Sequence, residues 1–474
     1  MSALLKKDWF GLGLVLIFGS ILISLFKPAF ISPFNLYVLM LSVSLMLVVA
    51  MSQMIIIAIG QMNLSVGAIG GLVAISFTGL MEVYSMSILP AVLIGLLIGL
   101  ACGFINGYIT VKTGISAFII TLATLYIFKG MNLGITEAQP FYEIPEAVKF
   151  FGNAKIFGPI PYLVIIPIII TVLMWILMNR TSLGRYMLAY GNNVQSSELI
   201  GISSTKIVIY AHVISGLLAA IGGMLVVCRL QLGTPNIGDS WLLPSFAAPV
   251  IGGAILAGGK VDVKTGISAF IITLATLYIF KGMNLGITEA QPFYEIPEAV
   301  KFFGNAKIFG PIPYLVIIPI IITVLMWILM NRTSLGRYML AYGNNVQSSE
   351  LIGISSTKIV IYAHVISGLL AAIGGMLVVC RLQLGTPNIG DSWLLPSFAA
   401  PVIGGAILAG GKVDVIATAF GVILVSIISQ ALVIFKIDPF FVQIFLGFMI
   451  LLAVFINRYR EYREERRTKV FSDE

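Results

Sequence analysis

A chain of 474 residues that is 59% hydrophobic and 10% charged, with a mean hydropathy of +1.04, is too apolar for a water-soluble domain. The net charge of +8 does not point to nucleic acid, because much of the excess lies in the tail RYREYREERRTK, beside the final apolar stretch. Basic residues there suit a cytoplasmic helix end at anionic lipid.

Apolar stretches long enough to cross a bilayer as hydrogen-bonded helices recur between Gly, Pro, Asn or charged boundaries. In chain order they are 9–26, 36–59, 65–80, 89–109, 115–132, 160–178, 207–227 and 242–257, with 416–435 and 440–456 closing the chain. The first follows Lys6 and Lys7 as a signal peptide would. It runs too long for one, however, and leads into LFKPAF rather than a small-residue cleavage site, so a retained helix is expected. The cysteines, Cys102, Cys228 and Cys380, sit in no CxxC or His-rich setting, which predicts neither a disulfide framework nor a metal site.

Residues 112–263 and 264–415 are identical at every position. Repeat architectures drift, and these two segments have not drifted at all. Their identity marks one copying event, whether natural, engineered or introduced in sequence assembly. Four segments follow: 1–111 with spans one to four, 112–263 with spans five to eight, the identical 264–415, and 416–474 with the last two spans and the tail. One copy with the flanks makes ten spans, and both copies make about fourteen. The expected class is therefore an all-α polytopic membrane protein.

With the N-terminus in the cytoplasm, thirteen basic residues of the ten-span chain fall inside and six outside, which predicts both termini cytoplasmic. The repeated unit holds four spans, so its insertion inverts nothing downstream.

In IGLLIGLACGFINGYI, the glycines Gly95, Gly99, Gly103 and Gly107 recur every fourth residue and form one stripe for close helix packing. His212 has no HExxH and no second ligand nearby, so it reads as a packed histidine. GGAILAGGKV imitates a phosphate loop but fails its register twice: Gly259 stands where the Lys belongs, and Val261 follows Lys260 where Ser or Thr belongs. ATP is not expected to bind this chain.

The segment TSLGRYMLAYGNNVQSSELIGISSTKI, 181–207, is a polar cytoplasmic loop with the punctuation of one short helix between turns. Its Gly191, Asn193, Ser196, Ser197, Gly201 and Ile202 resemble the G-x-N-x-x-A-A-x-x-x-G-I loop of permease subunits of ribose-type ABC sugar and autoinducer importers. GQMNLSVGA, GFINGYI, FIITLATLYIFKG and APVIGGAILAGGK resemble further segments of that family in the expected order, as do Pro439, Gln443 and Gly447.

The resemblance implies a ten-helix permease core, no cofactor on this chain, and ATP and magnesium on a partner ATPase. It also implies a solute-binding protein outside, a second permease subunit, and the bacterial inner membrane. The loop would be the coupling element toward the ATPase, and the repeat would supply it again as Gly343, Asn345, Ser348, Ser349, Gly353 and Ile354. Gln53, Asn63, Ser65, Thr121 and Thr124 are candidates for the translocation path, with helix-to-helix hydrogen bonding as their alternative role.

The sequence departs from the family pattern at several positions. Asn63 replaces an Asp, Leu242 a Glu, Ser116 a Pro, and Ser196 and Ser197 two alanines. The lost acids favour a neutral polyol-like solute of ribose or pentose type. The rival reading is a secondary transporter, which would be expected to carry ionisable groups in mid-span.

Overall fold

The structure is a computed structural model, and it describes residues 8–156, 158–251, 269–307, 313–391, 393–406, 411, 413–438, 441–452, 454–455 and 459. Pro439, Lys260, the loop-like GGAILAGGKV beyond Ile251 and the tail from residue 460 lie outside the described residues.

Helices account for every named element among the described residues. The N-terminal part holds α1 (Asp8–Phe26), α2 (Pro33–Ala58), α3 (Val66–Glu82) and α4 (Ile88–Thr113). The first copy contributes α5 (Ala117–Thr136), α6 (Glu146–Asn153), α7 (Ile165–Arg180), α8 (Ser182–Asn192), α9 (Val194–Leu199), α10 (Ser204–Leu230) and α11 (Leu242–Ile251). The second copy repeats them as α12 (Ala269–Thr288), α13 (Glu298–Asn305), α14 (Ile317–Arg332), α15 (Ser334–Asn344), α16 (Val346–Leu351), α17 (Ser356–Leu382) and α18 (Leu394–Ile403). Then come α19 (Val415–Ile434) and an apolar α20 (Phe441–Leu452).

Local sequence explains the ends of these helices. The Ser32 side chain accepts from the Asn35 N–H ahead of Pro33, which has no N–H to leave unpaired. Gly114, at φ 65°, takes the left-handed turn that ends α4. Among the described residues, eight helices are at least 18 residues long and apolar enough to cross a membrane, and shorter apolar helices occupy 13–26, 66–82 and 441–452. The sequence count of about fourteen exceeds eight partly because turn residues shorten some spans. Gly60 to Ser65 breaks the chain before α3, leaving that helix 17 residues long.

The residues fall into two compact units, 1–271 with 436–451 and 272–435 with 452–474. In the first, α10 packs against α2, α3 and α4, α3 packs against α4 and α5, and α11 packs against α2. The predicted glycine stripe lies at the crossing of α4 and α10. A Cβ on Gly99 would meet the Gly216 carbonyl oxygen at 2.6 Å, and one on Gly107 would meet the Ile209 Cα at 2.9 Å. A Cβ on Gly103 would overlap the His212 carbonyl oxygen, and Gly95 faces Met224 and Val73. Only glycines let these backbones approach so closely. Gly447 seats α20 on α5 in the same way, its Cβ position 2.5 Å from the Ala123 carbonyl oxygen.

In the second unit, α17 packs on α13 and α15, and α19 packs on α14 and α18. Sequence-identical helices thus have different surroundings. Of the most apolar window of α10, 61% is buried, and of the same window in α17 none is.

Candidate functional site

The break between α2 and α3 sets up a buried polar site. An unwound segment buried among helices must pair its backbone and side chains with protein. Here Asn63 Oδ1 accepts from the Ser65 N–H at 2.9 Å and from the Ser65 hydroxyl at 2.8 Å. Its Nδ2 donates to the Ser215 hydroxyl of α10 at 3.1 Å, and Ser215 lies 3.0 Å from the Ser52 hydroxyl of α2.

From α4, Asn106 donates to Ser65 Oγ at 2.8 Å and accepts from the Thr124 hydroxyl of α5 at 2.7 Å. The Leu64 N–H donates to Thr121 Oγ1 at 3.0 Å. The Gln53 amide, oriented to satisfy both groups, donates to the Asn63 carbonyl at 3.0 Å and accepts from its N–H at 3.2 Å.

All five path candidates, Gln53, Asn63, Ser65, Thr121 and Thr124, therefore meet in one network that joins α2, α3, α4, α5 and α10. Each is at most 1% exposed. In this conformation their polar groups are spent on one another, with Asn106, Ser52 and Ser215 as members the sequence reading did not name. Asn106 was visible in GFINGYI, but only the contact of its amide with Ser65 and Thr124 shows that it is the junction.

His212 adjoins the break from α10. Its Nε2–H donates to Gln61 Oε1 at 3.1 Å, and its Nδ1 is buried with no partner among the described residues. Gln53, Asn63, Ser65 and Asn106 occur once in the chain. Although Thr121 and Thr124 recur as Thr273 and Thr276, one network of this composition can form.

The segment 181–207 is two helices meeting at Asn193, not the single short helix expected. Asn193 adopts φ −158° and ψ 110°, and its side chain accepts from the Ser196 N–H at 2.8 Å, which ends α8 and starts α9 in one residue. Gly201 turns the chain out of α9 at φ +87°, with nothing within 4 Å of its Cβ position.

Not all the expected residues face outward. Ser197 and Ile202 are buried at 3% and 8% exposure. A Cβ on Gly191 would overlap the Ala58 carbonyl oxygen at the end of α2. The exposed tip is Leu199 and Ile200, at 87% and 75%, two large apolar side chains that the sequence reading passed over. Their signal was a Leu-Ile pair directly before the turn glycine in a polar segment. Near this tip, burial first and the Glu198 carboxylate second push the Tyr190 phenol up, so its hydroxyl stays neutral.

The second copy reproduces this local geometry. Asn345 has φ −157° and ψ 110°, its side chain accepts from the Ser348 N–H at 2.9 Å, and Gly353 sits at φ +87°. Ser349 and Ile354 are buried, whereas Leu351 and Ile352 are 88% and 74% exposed. Gly343 lies in the last turn of α15.

Comparison with known proteins places the sequence among transport permeases. The profile of the family described as branched-chain amino acid transport system / permease component matches twice, over residues 35–261 and 256–454. The ribose import permease protein RbsC of Bacillus subtilis is 32% identical over 279 residues, 58% of this chain and 84% of the relative. The D-allose transport system permease protein AlsC of Escherichia coli is 32% identical across 56% of this chain and 81% of its own. The fructose import permease protein FrcC of Rhizobium meliloti is 29% identical, across 62% and 85%. No solved structure matches the chain.

Proposed function

This multi-pass membrane chain belongs to the family of transport-system permease components, and on that basis we propose that it is the translocating subunit of an ABC importer for a sugar. The network of α2 to α5 and α10 is its closed path, and ATP is hydrolysed on separate subunits. A solute-binding protein delivers the sugar from outside, and a second permease subunit completes the pathway. Both termini lie in the cytoplasm, and the membrane is the bacterial inner one.

One observation carries this reading: the exposed apolar tip is mechanically continuous with the buried polar break. Leu199 and Ile200 offer the ATPase about the apolar area of two side chains. Behind them, α8 rests through Gly191 on Ala58, the last residue of α2, and the break from Gly60 to Ser65 follows at once. A push on α9 reaches Asn63 and Ser65 through packed backbone, and it is there that Asn106 and Thr124 would exchange each other for sugar hydroxyls. The sites are uncharged, which suits a neutral polyol-like solute such as ribose.

The decisive measurement is uptake of labelled ribose, allose and fructose by cells holding the chain with and without its ATPase and binding protein. Uptake that needs both partners and survives collapse of the ion gradients is expected. Gradient-driven uptake without the ATPase would instead make the chain a secondary transporter.

A further inference from the structure

The second unit contains a cleft of about 560 Å³ whose lining includes Asn284, Thr288, Phe293, Gly375, Gly385 and Ile389. In the first copy the same residues are Asn132, Thr136, Phe141, Gly223, Gly233 and Ile237, and there the cleft is filled. Helix α3 lies in it. A Cβ on Gly223 would overlap the Gly70 carbonyl, and one on Gly233 would overlap the Thr78 side chain. From the other side, the Cβ position of Gly71 is 3.0 Å from Asn132 Nδ2, and that of Gly79 is 3.0 Å from Phe141 Cε2. Around Gly375, by contrast, no described residue comes within 4 Å of a Cβ. Met224, beside the filled cleft, is 8% exposed, and its counterpart Met376 is 61% exposed.

An identical set of residues therefore appears once with its occupant and once without. We propose that the cleft of the second unit is a docking seat for the N-terminal half, helices α2 to α4, of a second copy of this chain. The α3 sequence VGAIGGLVAISFTG fits because its glycines let the backbone approach the small-residue face of α17 as it approaches α10. Within one chain, α4 joins α5 through Gly114 to Ser116 alone, and that short tether holds α2 to α4 on the first copy. Because the two seats have the same sequence, a second chain's α2 to α4 meets the same contacts in either. It takes the second seat when its own first seat is closed to it.

The test uses two differently tagged full-length chains in which Cys102, Cys228 and Cys380 are replaced by Ala. The Ser52 and Ser215 hydroxyls lie 3.0 Å apart across the filled seat, so a single chain with Ser52→Cys and Ser215→Cys should oxidise to an intrachain disulfide. That chain is the positive control. One test chain then carries Ser52→Cys with Gly223→Leu, which closes its own seat, and the other carries Ser367→Cys, the counterpart of Ser215. An interchain disulfide is expected, at least about tenfold reduced when Gly375→Leu is added to the second chain. If the Gly223→Leu chain does not accumulate in the membrane, residues 1–111 bearing Ser52→Cys are expressed beside the Ser367→Cys chain, and the same disulfide is expected. A forming control with no interchain disulfide in either arrangement would overturn the proposal.

Discussion

Adding one methyl group at the same residue of each copy should have opposite effects. A Cβ on Gly216 of α10 would overlap the Gly99 carbonyl oxygen and lie 3.0 Å from the Gly103 Cα and N, all of it backbone that cannot rotate away. Gly368, its counterpart in α17, has no described residue within 4 Å of that position. To bring the Gly216→Ala contact out to ordinary van der Waals distance, α4 and α10 must part by about 1 Å, a gap that forfeits a quarter to a half of each atom pair's attraction. Over an interface of several helical turns that comes to about 3 kcal/mol, at the upper end of overpacking costs. Gly368→Ala meets no neighbour and gains the helix preference of alanine over glycine, up to about 1 kcal/mol. Thermal unfolding of the purified protein in detergent, followed by circular dichroism and by labelling of Cys102, which is buried in the unit holding α10, measures both. Earlier exposure of Cys102 in Gly216→Ala alone is expected. Equal shifts in the two variants would refute the claim that surroundings, not sequence, distinguish the copies.

Replacing Gly201 and Gly353 together by Val should uncouple ATP hydrolysis from uptake while leaving the chain in the membrane. The φ of +87° at each costs a β-branched residue roughly 1–2 kcal/mol although space is free around it; unchanged uptake would contradict the coupling role. Leu199→Ser with Ile200→Ser, made also at Leu351 and Ile352, should weaken co-purification of the ATPase about tenfold or more without altering thermal stability, since these side chains touch little of their own chain. Asn106→Leu should destabilise the first unit by about 1–3 kcal/mol, because Ser65 and Thr124 each lose a buried partner, and stability in a denaturant series would report it. Deleting 264–415 should leave uptake intact, because the polar network draws on residues of the N-terminal part and first copy alone; loss of uptake would give the second copy a role of its own.

The sequence revealed the class of the fold because apolar length and a glycine every fourth residue are local signals. Gly95, Gly99, Gly103 and Gly107 can be read as a packing face without knowing what they face. What they face, the small-residue run GLLAAIGGM of α10 with Gly216 against Gly99 and Gly103, comes from the structure. The fates of the two copies could not be read in the same way. Gly223 and Gly375 have the same neighbours along the chain for many residues, and the difference between them is supplied by α3, a helix far away in sequence and present once.

The candidate site was half legible for a similar reason. Asn63, Ser65, Thr121 and Thr124 stand out as polar groups in apolar helices, but their pairing through Asn106 depends on how three helices are rotated. In the segment 181–207, family resemblance drew attention to Ser197 and Ile202, which are buried, and away from the exposed Leu199 and Ile200. The phase of a six-residue helix is set by its cap, and a shift of two residues turns it roughly half around.

The loop's cap has a further consequence. Asn193 and Asn345 hold nearly the same backbone angles and the same hydrogen bond, although one sits in a well-filled bundle and the other in a sparse one. The joint is thus self-templating: eleven residues of helix, one Asn, six more, an Ile and a Gly fix its shape with little help from the surroundings. A copied segment thus carries this joint with its geometry intact, whereas the cleft that α3 fills in the first copy has no second α3 in the chain to fill it again. Copying therefore multiplies exposed tips, Leu199 with Ile200 and Leu351 with Ile352, without multiplying the buried network, whose Asn63 and Asn106 stand outside the repeated segment.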